Sequence, residues 1–354
     1  MMFLCTAAFA LIVVASKAFS TQPHRTFLVT GASGYVGREI VHALIIDDDT
    51  KDDAIVCLVR PSRVEDEQLY WQERSTSVSV LPYDMLDGGA TLQDALGSCQ
   101  GIRCLLHVAS VFGPTENHKE TALDNVRGTE DLVRTCAKFS GTRLVLTSST
   151  AAVRGTGQSP LNDKFYTHKD WNTLSELGKN WGNSYQWSKA ESERRAWELA
   201  RELGVPMVSL CPAFIFGPST DGQLTSNSYS ITLVSQWIRG ESEVQSRLCV
   251  DVRDVAKAHV RASVLESAIG KRYIVSAERR LPSEVTANAL KEASPNPENI
   301  TYDAEFDGGA IKIGEKEVEG VDRLAKELGV SLRPVDVTFR DMARILTQTP
   351  LDVK

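Results

Sequence analysis

Thr26-Phe27-Leu28-Val29-Thr30-Gly31-Ala32-Ser33-Gly34-Tyr35-Val36-Gly37 decides how the rest of the chain is read. Its first five residues form a short apolar run ending at a glycine, a strand by length and flanks. From Tyr35 to Ile46 the apolar residues recur at helical spacing and stop before Asp47-Asp48-Asp49. Gly31, Gly34 and Gly37 therefore join a strand to a helix with the spacing G-x-x-G-x-x-G, the setting in which such a loop cradles a pyrophosphate. Gly31 would permit the tight turn, Gly34 the approach of backbone N–H groups to the anion, and Gly37 the close packing of helix on strand. Ser33, Tyr35 and Val36 complete the loop, and the helix N-terminus adds a favourable dipole.

Working outward, strand and helix patterns alternate. Apolar runs at Ala54–Val59, Val78–Pro82, Ile102–Ala109, Arg143–Thr147 and Val205–Leu210 read as buried strands. Helical spacing occupies Glu120–Phe139 and Tyr185–Leu203, the latter closed by Gly204. This order implies an α/β fold, a doubly wound parallel-sheet Rossmann domain over residues 24–214. After Pro212 the rhythm changes. A polar loop runs from Gly217 to Ser230. Helices are expected at Val252–Leu265, Pro282–Ala293, Val321–Leu328 and Val337–Leu346, with short strands at Arg272–Val275 and Ile300–Tyr302. Residues 215–350 are read as mainly a smaller substrate-binding lobe, with 249–266 returning to the first domain.

The chain has 354 residues and a net charge of −7, and its apolar and charged fractions are ordinary for a soluble protein. The acidic balance argues against nucleic acid as a partner. Seven cysteines include no C-x-x-C and no Cys/His cluster, so neither a metal site nor a disulfide framework is expected. Phe3–Ala15 is nearly continuous apolar sequence followed by Ser16-Lys17-Ala18, which reads as a signal peptide within residues 1–20. Left uncleaved, it would tie the protein to a membrane through residues 1–16. The phenylalanine after Ala18 resembles the junction of proteins imported into plastids of secondary origin. The destinations left open are the secretory pathway, such a plastid and, without a working signal, the cytoplasm.

The end of the second strand selects the cofactor. Dinucleotide sites for NAD carry an acidic residue there, about 20 residues beyond the loop. Here stands Arg60, with Arg63 behind it, and a guanidinium suits a 2′-phosphate. NADP is therefore expected, with NAD as the alternative. Asp84, closing the third strand, is placed to meet the adenine or to serve as a turn residue. Tyr185 and Lys189 are four residues apart on one helix face. A phenol is a poor acid–base group near neutrality until a cation favours the phenolate, which Lys189 would supply. Tyr185 could then exchange a proton with a carbonyl oxygen, and Ser149, at the end of the fifth strand, could orient that oxygen. His107, in an apolar strand, reads as a core histidine, and Trp181, Trp187, Trp197 and Trp237 as packing residues.

Together these stretches resemble the extended short-chain dehydrogenase/reductases, and within them the dihydroflavonol reductase, cinnamoyl-CoA reductase and fungal aldehyde/ketone reductase group. The resemblance rests on Val29–Gly37 (VTGASGYVG), Leu106–Ser110 (LHVAS), Asn125–Thr129 (NVRGT), Leu144–Thr150 (LVLTSST), Asp170-Trp171-Asn172, Tyr185–Lys189, Pro212–Pro218 (PAFIFGP) and Asp251–Val260 (DVRDVAKAHV). It implies Ser149, Tyr185 and Lys189 as a catalytic triad, with Thr150 the rival hydroxyl. It also implies Val108-Ala109 against the cofactor, Arg60 at the 2′-phosphate, Pro212 and Phe214 beside the nicotinamide, a small carbonyl substrate and a homodimer. The sequence departs from the group in three places. Asn183–Lys189 (NSYQWSK) does not reproduce the cinnamoyl-CoA reductase signature, no lysine follows shortly after Arg60, and Thr220–Ser230 is polar. Other readings of the same scaffold are a nucleotide-sugar epimerase or dehydratase with retained NAD, a 3β-hydroxysteroid-type dehydrogenase, and a non-catalytic NADP(H)-binding regulator.

Overall fold

The computed structural model describes residues 25–220, 228–303, 311–314, 316 and 322–348. The proposed leader, and parts of the polar loop after Thr220, lie outside the described residues. Seven parallel strands form the main sheet: β1 (Thr26–Thr30), β2 (Ala54–Val59), β3 (Val78–Pro82), β4 (Ile102–His107), β5 (Arg143–Thr147), β6 (Met207–Pro212) and β9 (Arg272–Val275). Their spatial order is β3-β2-β1-β4-β5-β6-β9. A small parallel pair, β7 (Phe214–Phe216) and β8 (Cys249–Asp251), stands apart.

Both faces of the sheet are covered, which is why its strands read as continuous apolar runs rather than alternating ones. Successive residues serve opposite cores. Phe27 and Val29 pack with Ile40, Val41 and Leu44 of α1 (Tyr35–Ile46) and with Val255 and Val260 of α8 (Val252–Val264). Leu28 faces the other way, toward Leu92 and Leu96 of α3 (Ala90–Ser98), Leu132 and Val133 of α4 (His118–Cys136), and Leu199 of α6 (Trp181–Leu203). A third core lies beyond β7. There Phe216 and Trp237, the latter from α7 (Tyr229–Arg239), pack with Leu290 of α9 (Ser283–Lys291) and Phe339 and Met342 of the last helix, α10 (Val335–Gln348).

Several boundaries move from their expected places. α6 starts at Trp181 because the Asn180 side chain caps it, accepting from Asn183 N–H at 2.9 Å, so Tyr185 sits in its second turn. Ile300–Tyr302 is not a strand. Ile300 is buried in the third core, and Tyr302 makes only an isolated bridge to Val244. The helix expected over 321–328 is a five-residue π-helical turn, Leu324–Leu328. Among the described residues, four helices lay outside the periodic patterns: α2 (Val64–Gln72), α3, the single turn α5 (Thr150–Val153) and α7. No helix among the described residues is long and apolar enough to cross a membrane.

Candidate active site

In a doubly wound sheet the ligand crevice opens at the carboxyl ends of the strands where their order reverses, here between β1 and β4. Thr30 joins the two edges of that crevice. Its Oγ1 accepts the backbone N–H groups of Val108 and Ala109, each at 3.1 Å, and lies 2.9 Å from His107 Nδ1. His107 is buried, which pushes its pKa down to about 3, with the Lys189 charge acting in the same direction. A neutral core histidine, hydrogen-bonded to Thr30, is what the strand pattern led one to expect.

The glycine loop is fixed by contact. Gly31 takes φ +67°, and a Cβ there would lie 3.0 Å from Ala109 backbone atoms. A Cβ on Gly37 would lie 2.2 Å from the Gly31 carbonyl oxygen. Both positions exclude any side chain, so the first turn of α1 can sit directly on the loop. Tyr35 turns its hydroxyl away from the loop and donates it to the Gly217 carbonyl at 2.7 Å, tying the loop to the segment after β7.

Gly31, Ser33, Gly34, Tyr35, Val36 and Gly37 line one wall of a cavity of about 960 Å³. The same cavity is lined by Arg60, Val108, Ala109, Ser149, Thr150, Tyr185, Lys189, Pro212 and Phe214. Residues drawn from widely separated parts of the sequence thus share one space. Asp84 is the exception. It is exposed and outside the cavity, where Tyr83 and Met85 stand instead, because its carboxylate accepts the Leu86 N–H at 2.9 Å and so closes its own turn. Arg63 reaches the cavity but is shared with Asp66 and Glu67, each at 3.5 Å. Arg60 has no carboxylate partner among the described residues.

Ser149 is the N-cap of α5, its Oγ accepting the Ala151 N–H at 3.1 Å. Tyr185 comes up beside it from α6. Burial pushes the Tyr185 phenol up to about 12, and the nearby Ser149 hydroxyl pulls the other way. Lys189 stands with Nζ 6.0 Å from the Tyr185 ring centre and 3.5 Å from the Thr147 carbonyl oxygen. Burial brings its pKa down to about 8 against the opposing influence of Cys211 and Glu193.

Beneath these groups lies a network that the sequence patterns did not single out. Glu193, one turn beyond Lys189, is fully buried. Its carboxylate accepts from Arg272 Nε at 2.7 Å and Nη2 at 3.0 Å, and from the hydroxyls of Ser148 and Ser209, each at 2.7 Å. Burial works to raise its pKa, but the Arg272 guanidinium and the two hydroxyls together hold it below the usual carboxylate value. Trp171 lies under Arg272, whose guanidinium carbon is 3.9 Å from the ring centre. Asn172 donates to the Ala151 carbonyl at 2.8 Å. The Asp-Trp-Asn element thus supports α5 from below. Asn125 likewise has a structural partner, clasping Val111 through N–H and carbonyl at 2.9 and 3.0 Å.

The far wall of the cavity is aromatic. Phe112 packs 4.7 Å from Tyr185, 5.7 Å from Tyr229 and 6.3 Å from Phe214, centre to centre, and Trp181 stacks on Tyr185 at 6.3 Å. Of these, Phe112 and Tyr229 carried no sequence signal, because each stands in a loop or at a helix start with no periodic neighbours.

Known proteins are similar to this chain in sequence and fold. The family model described as male sterility protein matches residues 29–246. The chain is 30% identical to tetraketide alpha-pyrone reductase 1 of Arabidopsis thaliana, over 70% of this chain and 75% of that protein. It is 29% identical to cinnamoyl-CoA reductase 2 of the same plant, over 90% of this chain and 92% of the other. The crystal structure of yeast methylglyoxal/isovaleraldehyde reductase complexed with NADPH superimposes with a TM-score of 0.79, covering 91% of this chain and 98% of that one at 24% identity. The parallel sheet, the glycine loop at its reversal and a family match over more than half the chain agree, and the protein belongs to the male sterility protein family within the extended short-chain dehydrogenases/reductases.

Proposed function

We propose that the protein is an NADPH-dependent reductase that converts an aldehyde or ketone to an alcohol. The observation that carries this reading is the convergence of Ser149, Tyr185 and Lys189 with the glycine loop on one cavity. The relatives support the same class, among them the NADPH-dependent methylglyoxal reductase of Saccharomyces cerevisiae, 29% identical over 75% of this chain and 82% of that protein.

The residues fit the cofactor. Gly31 and Gly37 leave backbone where a side chain would block the loop, and Arg60 brings to the same cavity a guanidinium with no carboxylate partner among the described residues. When bound, NADPH supplies the hydride. The chain supplies the rest. Tyr185, protonated up to high pH by its burial, donates its phenolic proton to the carbonyl oxygen. Ser149 orients that oxygen; it is preferred over Thr150 because it is the hydroxyl that acts on the Tyr185 phenol, lowering its pKa against burial. Lys189 adds a positive field where negative charge develops.

Parallel titration of NADPH and NADH against the protein, with consumption followed on an aldehyde and ketone panel, tests the reading. Arg60→Ala should weaken NADPH binding by about tenfold or more, the scale of a hydrogen bond to a charged group, and leave NADH nearly unchanged. NAD carried through purification, with no NADPH consumption on any carbonyl, would replace this reading with that of an epimerase or dehydratase.

A further inference from the structure

Among the described residues, the large cavity is lined by Arg38, Arg60, Arg63, Arg154, Arg247, Arg280 and Lys189, and by no aspartate or glutamate. This occurs in a chain with 46 acidic and 39 basic residues. Arg38 and Arg63 are answered by Glu67 behind the wall, and Arg60 serves the cofactor in the reading above. Arg247 is different. It has no carboxylate partner among the described residues, and its hydrogen bond to a side chain goes to the neutral Gln245. Its Nε is buried with no partner. Its guanidinium lies 5.6 Å from the centre of the Phe214 ring, on the aromatic wall that leads through Phe112 to Tyr185. Arg154, just after α5, adds a second guanidinium, which donates to the Gly155 carbonyl, lies 6.0 Å from the centre of the Tyr166 ring and has no carboxylate partner among the described residues.

Half-buried guanidinium groups are normally paired, because desolvation disfavours the lone charge. Burial here does depress the Arg247 pKa. A cavity with an aromatic wall and a guanidinium that has no carboxylate partner among the described residues is complementary to a molecule with an apolar body and an anionic end.

We infer that the substrate is a carbonyl compound bearing a carboxylate or phosphate, its apolar body along Phe112 and Phe214 and its anionic group on Arg247. The inference rests on the reductase reading for the carbonyl and on Arg247 alone for the anion. The expected chain of contacts places the carbonyl at Tyr185 and the anion at the opposite end of the aromatic wall.

Binding to the NADPH complex of the whole protein, measured by calorimetry, separates the two parts. Benzoate and phenyl phosphate distinguish the two anion sources, and benzamide is the neutral control. At least one anion should bind about tenfold or more tightly than benzamide. Arg247→Gln should abolish that margin and Arg247→Lys should retain part of it. A margin that disappears in both variants, with their thermal stability unchanged, is the weaker form of the same result. Equal affinities for acid and amide in the unaltered protein, or a margin untouched by Arg247→Gln, overturn the anion site and need no correctly folded variant in the first case. Turnover of para-formylbenzoate against its methyl ester is the second readout. A kcat/KM preference for the acid that falls in Arg247→Gln supports the substrate class. Benzoate binding through Arg247 with neither aldehyde reduced would remove the reductase reading, and with it the carbonyl half of the inference, while the anion site stood.

Discussion

Tyr185→Phe should lower the rate of carbonyl reduction by about 10²- to 10⁴-fold, the range that a positioned proton donor contributes. NADPH affinity should hardly change, because the substitution removes one oxygen and keeps the ring that packs between Phe112 and Trp181. The pH profile carries the finer test. Reduction requires the phenol in its acid form, and burial keeps Tyr185 protonated up to about 12, so the tyrosine adds no fall in rate over the ordinary range. Lys189 titrates near 8. Its ammonium charge is present below that pH and lost above it, so kcat/KM for reduction should decline on the alkaline side from about pH 8. A profile flat up to the pH where an unperturbed lysine titrates would remove Lys189 from the reacting charge balance. A phenylalanine variant with nearly full activity would remove Tyr185 from proton transfer, and equal loss of turnover and cofactor binding would assign the tyrosine a structural role.

The second large effect concerns stability. Glu193→Ala leaves the Arg272 guanidinium, itself nearly buried, without its carboxylate. Breaking one side of a buried pair typically costs about 3–5 kcal/mol, because the remaining charge stays out of water. The same change frees the hydroxyls of Ser148 and Ser209 and so loosens the strand end next to Ser149. The expected result is a clear drop in the urea midpoint at constant slope, accompanied by loss of activity. Glu193→Gln, which retains acceptors for the hydroxyls but not the charge, should fall between the two. A change in the midpoint too small to amount to 1 kcal/mol, which is about what a single neutral hydrogen bond contributes, would show that Arg272 finds compensation elsewhere.

Elements held by short-range forces leave a pattern along the chain, and those set by distant contacts do not. Strands of a sheet covered on both faces must be apolar throughout, so β1, β2, β4, β5 and β6 stand out as runs. The glycine loop is partly local: Gly31 takes φ +67° and Gly37 is required by its contact with the Gly31 carbonyl, whereas the close approach of Ala109 to Gly31 comes from the neighbouring strand. Asp84 shows where local reasoning stops. A carboxylate at a strand end serves a ligand or its own turn with the same sequence, and only the position of Leu86 N–H decides between them. Arg63 is a similar case, its charge taken up by Asp66 and Glu67 one helical turn away. α7 carries helical residues but begins beside a polar loop, and its register is set by packing of Trp237 against Phe216 and Phe339.

The sequence by itself determined the alternation of strand and helix, the glycine-rich turn between the first strand and helix and the Tyr185–Lys189 pair, because each depends mainly on residues within a few positions of one another. Tertiary structure alone decided what surrounds them. It brought Glu193 under Ser148, set Phe112 against Tyr185 across 73 positions and left Arg247 in a cavity lined by no carboxylate among the described residues. Those relations arise from the folding of distant segments onto one sheet end, where burial and charge act across space and leave no periodic trace along the chain.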